Sequence, residues 1–285
     1  MRIRNRLAAL LAVLAFLCLW IPHASATGAE RIVYGTSVRG RDLVCWRIGE
    51  ENAEKSVLLV FAVHGFEDEY AGDGVLLKRI AEETIAVYEQ EPERLQGFTL
   101  YVIPCANPDG LEDGTTNWGF GRCNADGYDI NRDFSIGFEP GTADAGTRTG
   151  PEPFTTPEAR AIRDLAERIR PTYAADVHGY IQKIYYESSP EMAETFAAPF
   201  GFSTGRWGTS GMMCQWLDSM TEGTVLIELR TPLRTQARFG GSANELWLPL
   251  NEYVKDQGDK LREGLETWLH ICAEQKEEER GGDGQ

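Results

Sequence analysis

Positive charge is scarce in this sequence. Its 285 residues include 28 Lys and Arg but 44 Asp and Glu, which gives a formal net charge of -16 at pH 7. Three of the arginines, Arg2, Arg4 and Arg6, lie in the first 26 residues, where there is no acidic residue, so the remainder is more negative still. Nucleic acids and anionic membrane surfaces are bound by basic patches. The composition therefore argues against both as partners.

Long apolar runs are also missing beyond the amino terminus. The one candidate, residues 7–21, is shorter than the ~20 residues that a membrane-spanning helix needs. Arginines precede this run, and Pro22 and the small residues Ala24, Ser25 and Ala26 follow it. The pattern is typical of a cleavable secretory signal peptide. We predict cleavage after Ala26, a secreted or periplasmic location, and no stable membrane insertion of the mature chain.

Cysteine is sparse, and its number is odd once the predicted signal peptide is removed. The cysteines that remain are Cys45, Cys105, Cys123, Cys214 and Cys272. An oxidising compartment allows disulfides, but an odd number leaves at least one thiol and fixes no connectivity. No pair has the spacing of a zinc ribbon and none lies in a nucleophile motif. Buried or singly paired cysteines are therefore favoured over a catalytic thiol.

The rest of the composition, with 42% hydrophobic and 25% charged residues, is that of a globular protein. Short apolar runs alternate with amphipathic helical stretches, which is typical of α/β proteins. We predict a single three-layer α/β/α domain over residues 27–273, with a mixed, mostly parallel central sheet, and a flexible charged tail over residues 274–285. The predicted elements are a hairpin at 31–48, strands at 56–63, 98–103, 173–177 and 224–229, helices at 73–90, 156–170 and 249–274, and a long loop at 107–153.

Histidine is rare, and two of the three histidines after residue 26 stand where predicted strands end. His64 follows one buried strand directly, and His178 follows another, whereas His270 lies on the predicted terminal helix. Glu67 comes three residues after His64 on a tight turn, which allows an imidazole and a carboxylate to reach one point. Catalytic zinc sites use three such ligands and leave one position open. The sequence therefore indicates a metal site, with His178 as the candidate third ligand.

Five short motifs occur in an order that resembles the zinc carboxypeptidase family, and the resemblance covers residues 31–230. They are His64 to Glu67, Asn107-Pro108-Asp109-Gly110, Asp129-Ile130-Asn131-Arg132, His178, and Ile227-Glu228-Leu229-Arg230. The resemblance implies that His64, Glu67 and His178 bind one Zn²⁺ ion, in agreement with their spacing.

The same resemblance implies roles for four further residues. Glu228 matches the general base and acid of the family, and Arg122 matches the arginine that polarises the scissile carbonyl and stabilises the oxyanion. Asn131 and Arg132 match the pair that binds the terminal carboxylate of the substrate. An ion pair with Arg230 is the structural alternative for Glu228, which lies in an apolar run.

The substrate stays open at this point. Digestive members of the family carry a tyrosine about two dozen residues before the catalytic glutamate, but residues 201–228 contain none. In this respect the chain resembles the bacterial murein-peptide amidase branch, whose members cut the bond between γ-D-glutamate and diaminopimelate. Leu229 and Arg230, however, match the residues that follow the catalytic glutamate in the digestive members. The readings are a peptidase of cell-wall stem peptides, a general carboxypeptidase, an N-acyl amino acid deacylase, and an inactive zinc-containing wall-binding module; the oligomeric state is unknown.

Overall fold

The computed structural model describes residues 28–50, 53–67, 69–208, 211–234 and 246–282. The predicted signal peptide, residues 1–26, lies outside these ranges. The strands are β1 (Glu30–Thr36), β2 (Asp42–Gly49), β3 (Ser56–Phe61), β4 (Thr99–Ile103), β5 (Thr116–Cys123), β6 (Tyr173–Gly179), β7 (Lys183–Tyr186), β8 (Ser203–Arg206) and β9 (Gly223–Leu229). The α-helices are α1 (Gly74–Gln90), α2 (Pro108–Asp113), α3 (Pro157–Ile169), α4 (Pro190–Ala197), α5 (Met213–Asp218) and α6 (Leu250–Gly282), and short 3-10 turns form at Pro92–Leu95 and Ile130–Arg132.

Eight of these strands form one sheet in the order β1-β2-β4-β3-β6-β9-β7-β8. The pairs β4–β3, β3–β6, β6–β9 and β7–β8 are parallel, whereas β1–β2, β2–β4 and β7–β9 are antiparallel. The predicted mixed, mostly parallel sheet is therefore confirmed. The predicted hairpin is confirmed as well, because β1 and β2 pair around a turn in which Ser37 N donates to Arg41 O.

Helices cover both faces of the sheet, which makes the domain three-layered. All six residues of β3 are buried, as expected for a central parallel strand covered on both sides. Leu59 and Phe61 pack into one core together with residues of α1, α4 and α6. Leu58 and Val60 pack into a second core on the opposite face, together with residues of α3 and α5. The α/β/α prediction is confirmed by these two cores.

The region predicted as a long loop, residues 107–153, contains secondary structure, so that prediction was wrong in part. Asn107 caps α2 by accepting a hydrogen bond from Gly110 N at 2.9 Å, and Pro108 occupies the first helical position. A cap followed by proline is a helix-start signal in the sequence. The strand β5, which follows after a short connection, carries Arg122 and lies outside the eight-stranded sheet.

Other differences concern short or terminal elements. The strands β7 and β8 and the helices α4 and α5 were not predicted, and each of them is eight residues or shorter. The terminal helix α6 continues to Gly282, beyond the predicted end at residue 274. None of the helices in the described ranges combines the length and apolarity needed to cross a bilayer. The five cysteines after residue 26 are free thiols in this structure.

Candidate functional site

The candidate site lies where three neighbouring parallel strands end. β3, β6 and β9 are adjacent, and residues at their carboxyl ends meet at one edge of the sheet. His64 follows β3, whereas His178 in β6 and Glu228 in β9 are directly paired in the sheet register. The carboxyl edge of a parallel sheet is the common position of ligand sites in α/β proteins. The sheet order therefore brings together residues that are up to 164 positions apart, from His64 to Glu228.

His64, Glu67 and His178 converge with a geometry suited to a metal ion. One ligand atom from each lies within 4.8 Å of the others, and all three side chains are buried. The two oxygens of Glu67 lie 3.3 Å from His64 Nδ1 and 3.3 Å from His178 Nδ1. Burial raises the pKa of Glu67, but the imidazoles of His178 and His64 bring it down to about 2. The carboxylate is therefore ionised at neutral pH and able to bind a cation.

Unpaired carboxylate oxygens show that the donor set fits a cation. Among the described residues, Glu67 Oε1 and Glu228 Oε2 are buried and form no hydrogen bond. Buried polar atoms in native proteins nearly always have a partner, which can be an ion. Two histidines and one carboxylate are the ligand types of catalytic zinc sites. The three predicted metal ligands thus fit a zinc ion.

Asp129 and Asp176 orient the two histidines, a role that sequence reasoning missed. Asp129 Oδ1 lies 2.9 Å from His64 Nε2, and Asp176 Oδ1 lies 2.9 Å from His178 Nε2. Each carboxylate thus contacts the ring nitrogen that faces away from Glu67. A carboxylate in this position is the usual outer partner of a metal-binding histidine. The sequence does contain a signal for Asp176. It lies two residues before His178 in the same strand, and residues two apart in a strand share a face.

The segment from His64 to Glu67 is held in place by contacts of its backbone with neighbouring residues. Asp73 accepts hydrogen bonds from Glu67 N at 2.6 Å and from Glu69 N at 2.8 Å. Burial raises the pKa of Asp73 to about 7. A β-carbon at Gly65 would lie 2.2 Å from the backbone of Gly110, so only glycine fits between this segment and α2.

Arg122 lies close to the predicted metal ligands. Its side chain is 11% exposed, and its terminal nitrogen lies 3.7 Å from Asp129 Oδ2. Its Nε donates to Gly146 O at 3.0 Å. Burial raises the pKa of Asp129, but His64 first and Arg122 next lower it well below the usual range. Asp129 therefore connects the arginine to a metal ligand, and the predicted role of Arg122 at the carbonyl stays a prediction.

Asn131 and Arg132 are adjacent but differently placed. Asn131 is buried, its Nδ2 lies 3.1 Å from His178 Nε2, and its Oδ1 accepts from Met213 N at 2.8 Å. Asn131 therefore lies against the His178 ring in this structure. Arg132 is half-buried and donates to Asn131 O at 2.7 Å. The predicted binding of a substrate carboxylate by this pair stays a prediction.

Glu228 has the environment of a proton-transferring group. It is partly exposed at the sheet edge, while its Oε2 is buried, and burial raises its pKa to about 7. A general base works best when its pKa is near the working pH. The alternative ion pair with Arg230 is not found among the described contacts, because the Arg230 guanidinium lies 4.8 Å from the ring centre of Trp247.

The contact of Asp129 with His64 makes a measurable prediction. Asp129→Asn keeps an oxygen at the contact but removes the negative charge, so zinc affinity is expected to fall roughly 10- to 100-fold. Titration against a competing chelator measures this. Asp126→Asn is the matched control, because Asp126 lies exposed in the same region of the chain and should leave the affinity unchanged. Equal affinities for the two variants would show that Asp129 does not act on the metal ligand.

Comparison with known proteins agrees with this geometry. Residues 24–199 match the sequence profile described as zinc carboxypeptidase. The chain is 37% identical over 217 residues to bacteriocin BCN5 of Clostridium perfringens, covering 73% of this chain and 24% of that protein. It is 26% identical over 199 residues to murein peptide amidase A of Escherichia coli K12, covering 64% of this chain and 74% of that protein. The fold matches carboxypeptidase A from Helicoverpa armigera with a TM-score of 0.66 at 17% identity, over 87% and 69% of the two chains.

Proposed function

Because the chain belongs to the zinc carboxypeptidase family, we propose that it is a zinc-dependent peptidase that hydrolyses amide bonds near a free carboxylate. The observation that carries this proposal is the position of Glu228 beside His64, Glu67 and His178 at one edge of the sheet. The chain spans only about a quarter of the bacteriocin that it matches, so the activity is proposed from this site.

The residues of this chain divide the reaction among them. His64, Glu67 and His178 would hold a zinc ion, which would supply a Lewis acid for the scissile carbonyl. Glu228 accepts a proton from the attacking water and donates it to the leaving amine, for which a pKa of about 7 is suitable. Arg122 carries a permanent positive charge next to the site and stabilises the developing oxyanion. Arg132 binds the substrate carboxylate.

We propose peptidoglycan stem peptides as the substrate, with the bond between γ-D-glutamate and diaminopimelate as the scissile bond. The similarity to murein peptide amidase A supports this proposal, as does the absence of tyrosine from residues 201–228. Export by the predicted signal peptide, which we also propose, would place the enzyme on the side of the membrane where peptidoglycan lies. A general carboxypeptidase acting on peptide carboxyl termini is the second candidate, favoured by Leu229 and Arg230.

Two measurements test the proposed function. The first is zinc content, which is expected to be one ion per chain. The second is turnover of γ-D-glutamyl-diaminopimelate compared with a hippuryl-type dipeptide. Faster turnover of the cell-wall peptide supports the proposed substrate, and faster turnover of the hippuryl peptide supports the second candidate. Zinc binding without turnover of either peptide would favour the alternative that the protein is an inactive zinc-containing wall-binding module.

Arg132 makes a further prediction about substrate recognition. Amidating the carboxylate next to the scissile bond should lower kcat/KM by about 30-fold, since loss of a charged hydrogen-bond partner costs ~2 kcal/mol. Arg132→Ala should erase the difference between acid and amide substrates. Arg148→Ala is the matched control, because Arg148 lies exposed over the Tyr128 ring. Equal cleavage of both substrates by the unaltered enzyme would refute a carboxylate-binding role and favour an endopeptidase or a deacylase.

A further inference from the structure

A lysine that the mechanism does not use lies beside Glu228. The edge strand β7 runs antiparallel to β9, with Lys183 paired to Glu228 and Tyr185 paired to Leu226. Ile184, between these two residues of β7, packs into the core on the opposite face of the sheet. Because side chains alternate along a strand, Lys183 and Tyr185 lie on the same face as Leu226 and Glu228.

The same face carries the metal-binding residues of the neighbouring strand. In β6, Asp176 pairs with Leu226 and His178 pairs with Glu228. His178, Glu228 and Lys183 therefore form one row across three adjacent strands, and strands in a sheet are about 4.8 Å apart. The backbone of Lys183 thus lies roughly 10 Å from that of His178 along this row, which is about the span of three extended residues.

The position of the lysine side chain is well defined. Its ammonium group lies 4.9 Å from the ring centre of Tyr185. A β-carbon at Gly205, on the next strand, would lie 2.8 Å from Lys183 Nζ, so glycine leaves the space that this side chain fills. No carboxylate lies within ion-pair distance of Lys183 in the ranges that the structure describes. Lys183 is also only partly buried, so its charge is accessible.

A cluster of apolar side chains packs beneath Tyr185. Trp207, Met212, Cys214 and Leu226 form a small buried cluster, against which Tyr185 packs. Arg206, the nearest cation along β8, pairs in register with Tyr186 and so lies on the opposite face, where it binds Glu187. Tyr185, which is partly exposed above this cluster, is therefore the apolar surface next to Glu228, and one positive charge follows it.

We propose that Lys183 is a specificity-determining residue that binds a second carboxylate of the substrate. This carboxylate belongs to the side chain of the residue that follows the scissile bond. The inference rests on the proposed peptidase function and adds the substrate class: an acidic residue whose aliphatic stem packs on Tyr185. Arg132 binds one substrate carboxylate and Lys183 binds the other. In a chain with a net charge of -16, two fixed cations are needed to hold a dianionic substrate against the surrounding negative charge.

The test compares two substrates that differ in one charge. Benzoylglycyl-glutamate and benzoylglycyl-glutamine have the same length and shape, but only the first carries the side-chain carboxylate. The zinc-loaded full chain is expected to cleave the glutamate substrate with a kcat/KM at least about tenfold higher, the scale of one charged hydrogen bond. Lys183→Met should reduce this ratio to about one, and Lys183→Arg should retain it.

The ratio separates specificity from effects on catalysis. Any change that Lys183→Met causes at Glu228 affects both substrates equally and cancels in the ratio. Lys55→Met is the matched control, because Lys55 also lies over a tyrosine ring, Tyr173, at 5.7 Å, but at the opposite end of the sheet. This variant should keep the full preference for glutamate.

Two outcomes overturn the inference while the proposed function stands. They are an enzyme that cleaves both substrates equally well, and a Lys183→Met variant that keeps the preference for glutamate. If neither substrate is cleaved, turnover of γ-D-glutamyl-diaminopimelate decides on the proposed function, and calorimetry decides on Lys183. In that case glycyl-glutamate should bind the zinc-loaded chain about tenfold more tightly than glycyl-glutamine, and Lys183→Met should abolish the difference. Equal binding of the two dipeptides would overturn the inference.

Discussion

Replacing His178 by alanine is expected to abolish tight zinc binding and all detectable peptidase activity. The site has three protein ligands, and the loss of one leaves His64 and Glu67, which cannot fix a tetrahedral geometry by themselves. The variant also leaves Asp176 and Asn131, which contact the imidazole, without their partner. Metal analysis after dialysis, together with a turnover assay, measures both losses.

His270→Ala is the matched control for this loss. His270 is exposed on the terminal helix, where it forms an ion pair with Glu274 at 3.1 Å. Its removal should leave zinc content and turnover unchanged, and circular dichroism should show that both variants are folded. One zinc ion per chain in the His178→Ala variant would contradict the assignment of the site.

Replacing Glu228 by glutamine should separate chemistry from binding. Glutamine keeps the shape of the side chain but cannot accept a proton, so turnover should fall by ~10²-fold or more. Zinc content and substrate affinity should remain nearly intact, because Glu228 is not one of the three residues whose ligand atoms converge. Steady-state kinetics and metal analysis on the same preparation give both quantities.

A glutamate near the other end of the same strand serves as the control for that variant. Glu222, just before β9, is exposed and accepts a hydrogen bond from Tyr173 Oη at 3.1 Å. Glu222→Gln should leave turnover unchanged. A Glu228→Gln variant that loses substrate affinity but keeps its maximal turnover would show that Glu228 binds substrate and does not transfer protons.

The sequence points to the candidate metal ligands because their signals are local. His64 and Glu67 are three residues apart after an uninterrupted apolar strand, and His178 ends a second strand of the same kind. Strands buried on both faces are recognised from composition alone. Their carboxyl ends meet at one edge because the strands are parallel neighbours, so the fold class was sufficient to place the three residues together.

Residues that act through the sheet register could not be found in the same way. Lys183 lies next to Glu228 only because β7 pairs antiparallel with β9, and β7 has just four residues. Short edge strands bury little apolar surface and leave a weak pattern. Asp129 belongs to a motif that was recognised, but its contact with His64, 65 residues away, depends on how the intervening chain folds.

The close approach of backbone at Gly65 has a consequence for how this enzyme can change. Gly65 touches Gly110 and the carbonyl of Gly121, which precedes Arg122, and Phe66 N donates to that same carbonyl at 3.0 Å. The metal-binding segment and the strand of Arg122 are therefore packed directly against each other, with no room for a larger side chain at Gly65. The strands β7 and β8 lie on the other side of Glu228. Substitutions there can change the charge or shape of the preferred substrate and leave the reacting groups undisturbed.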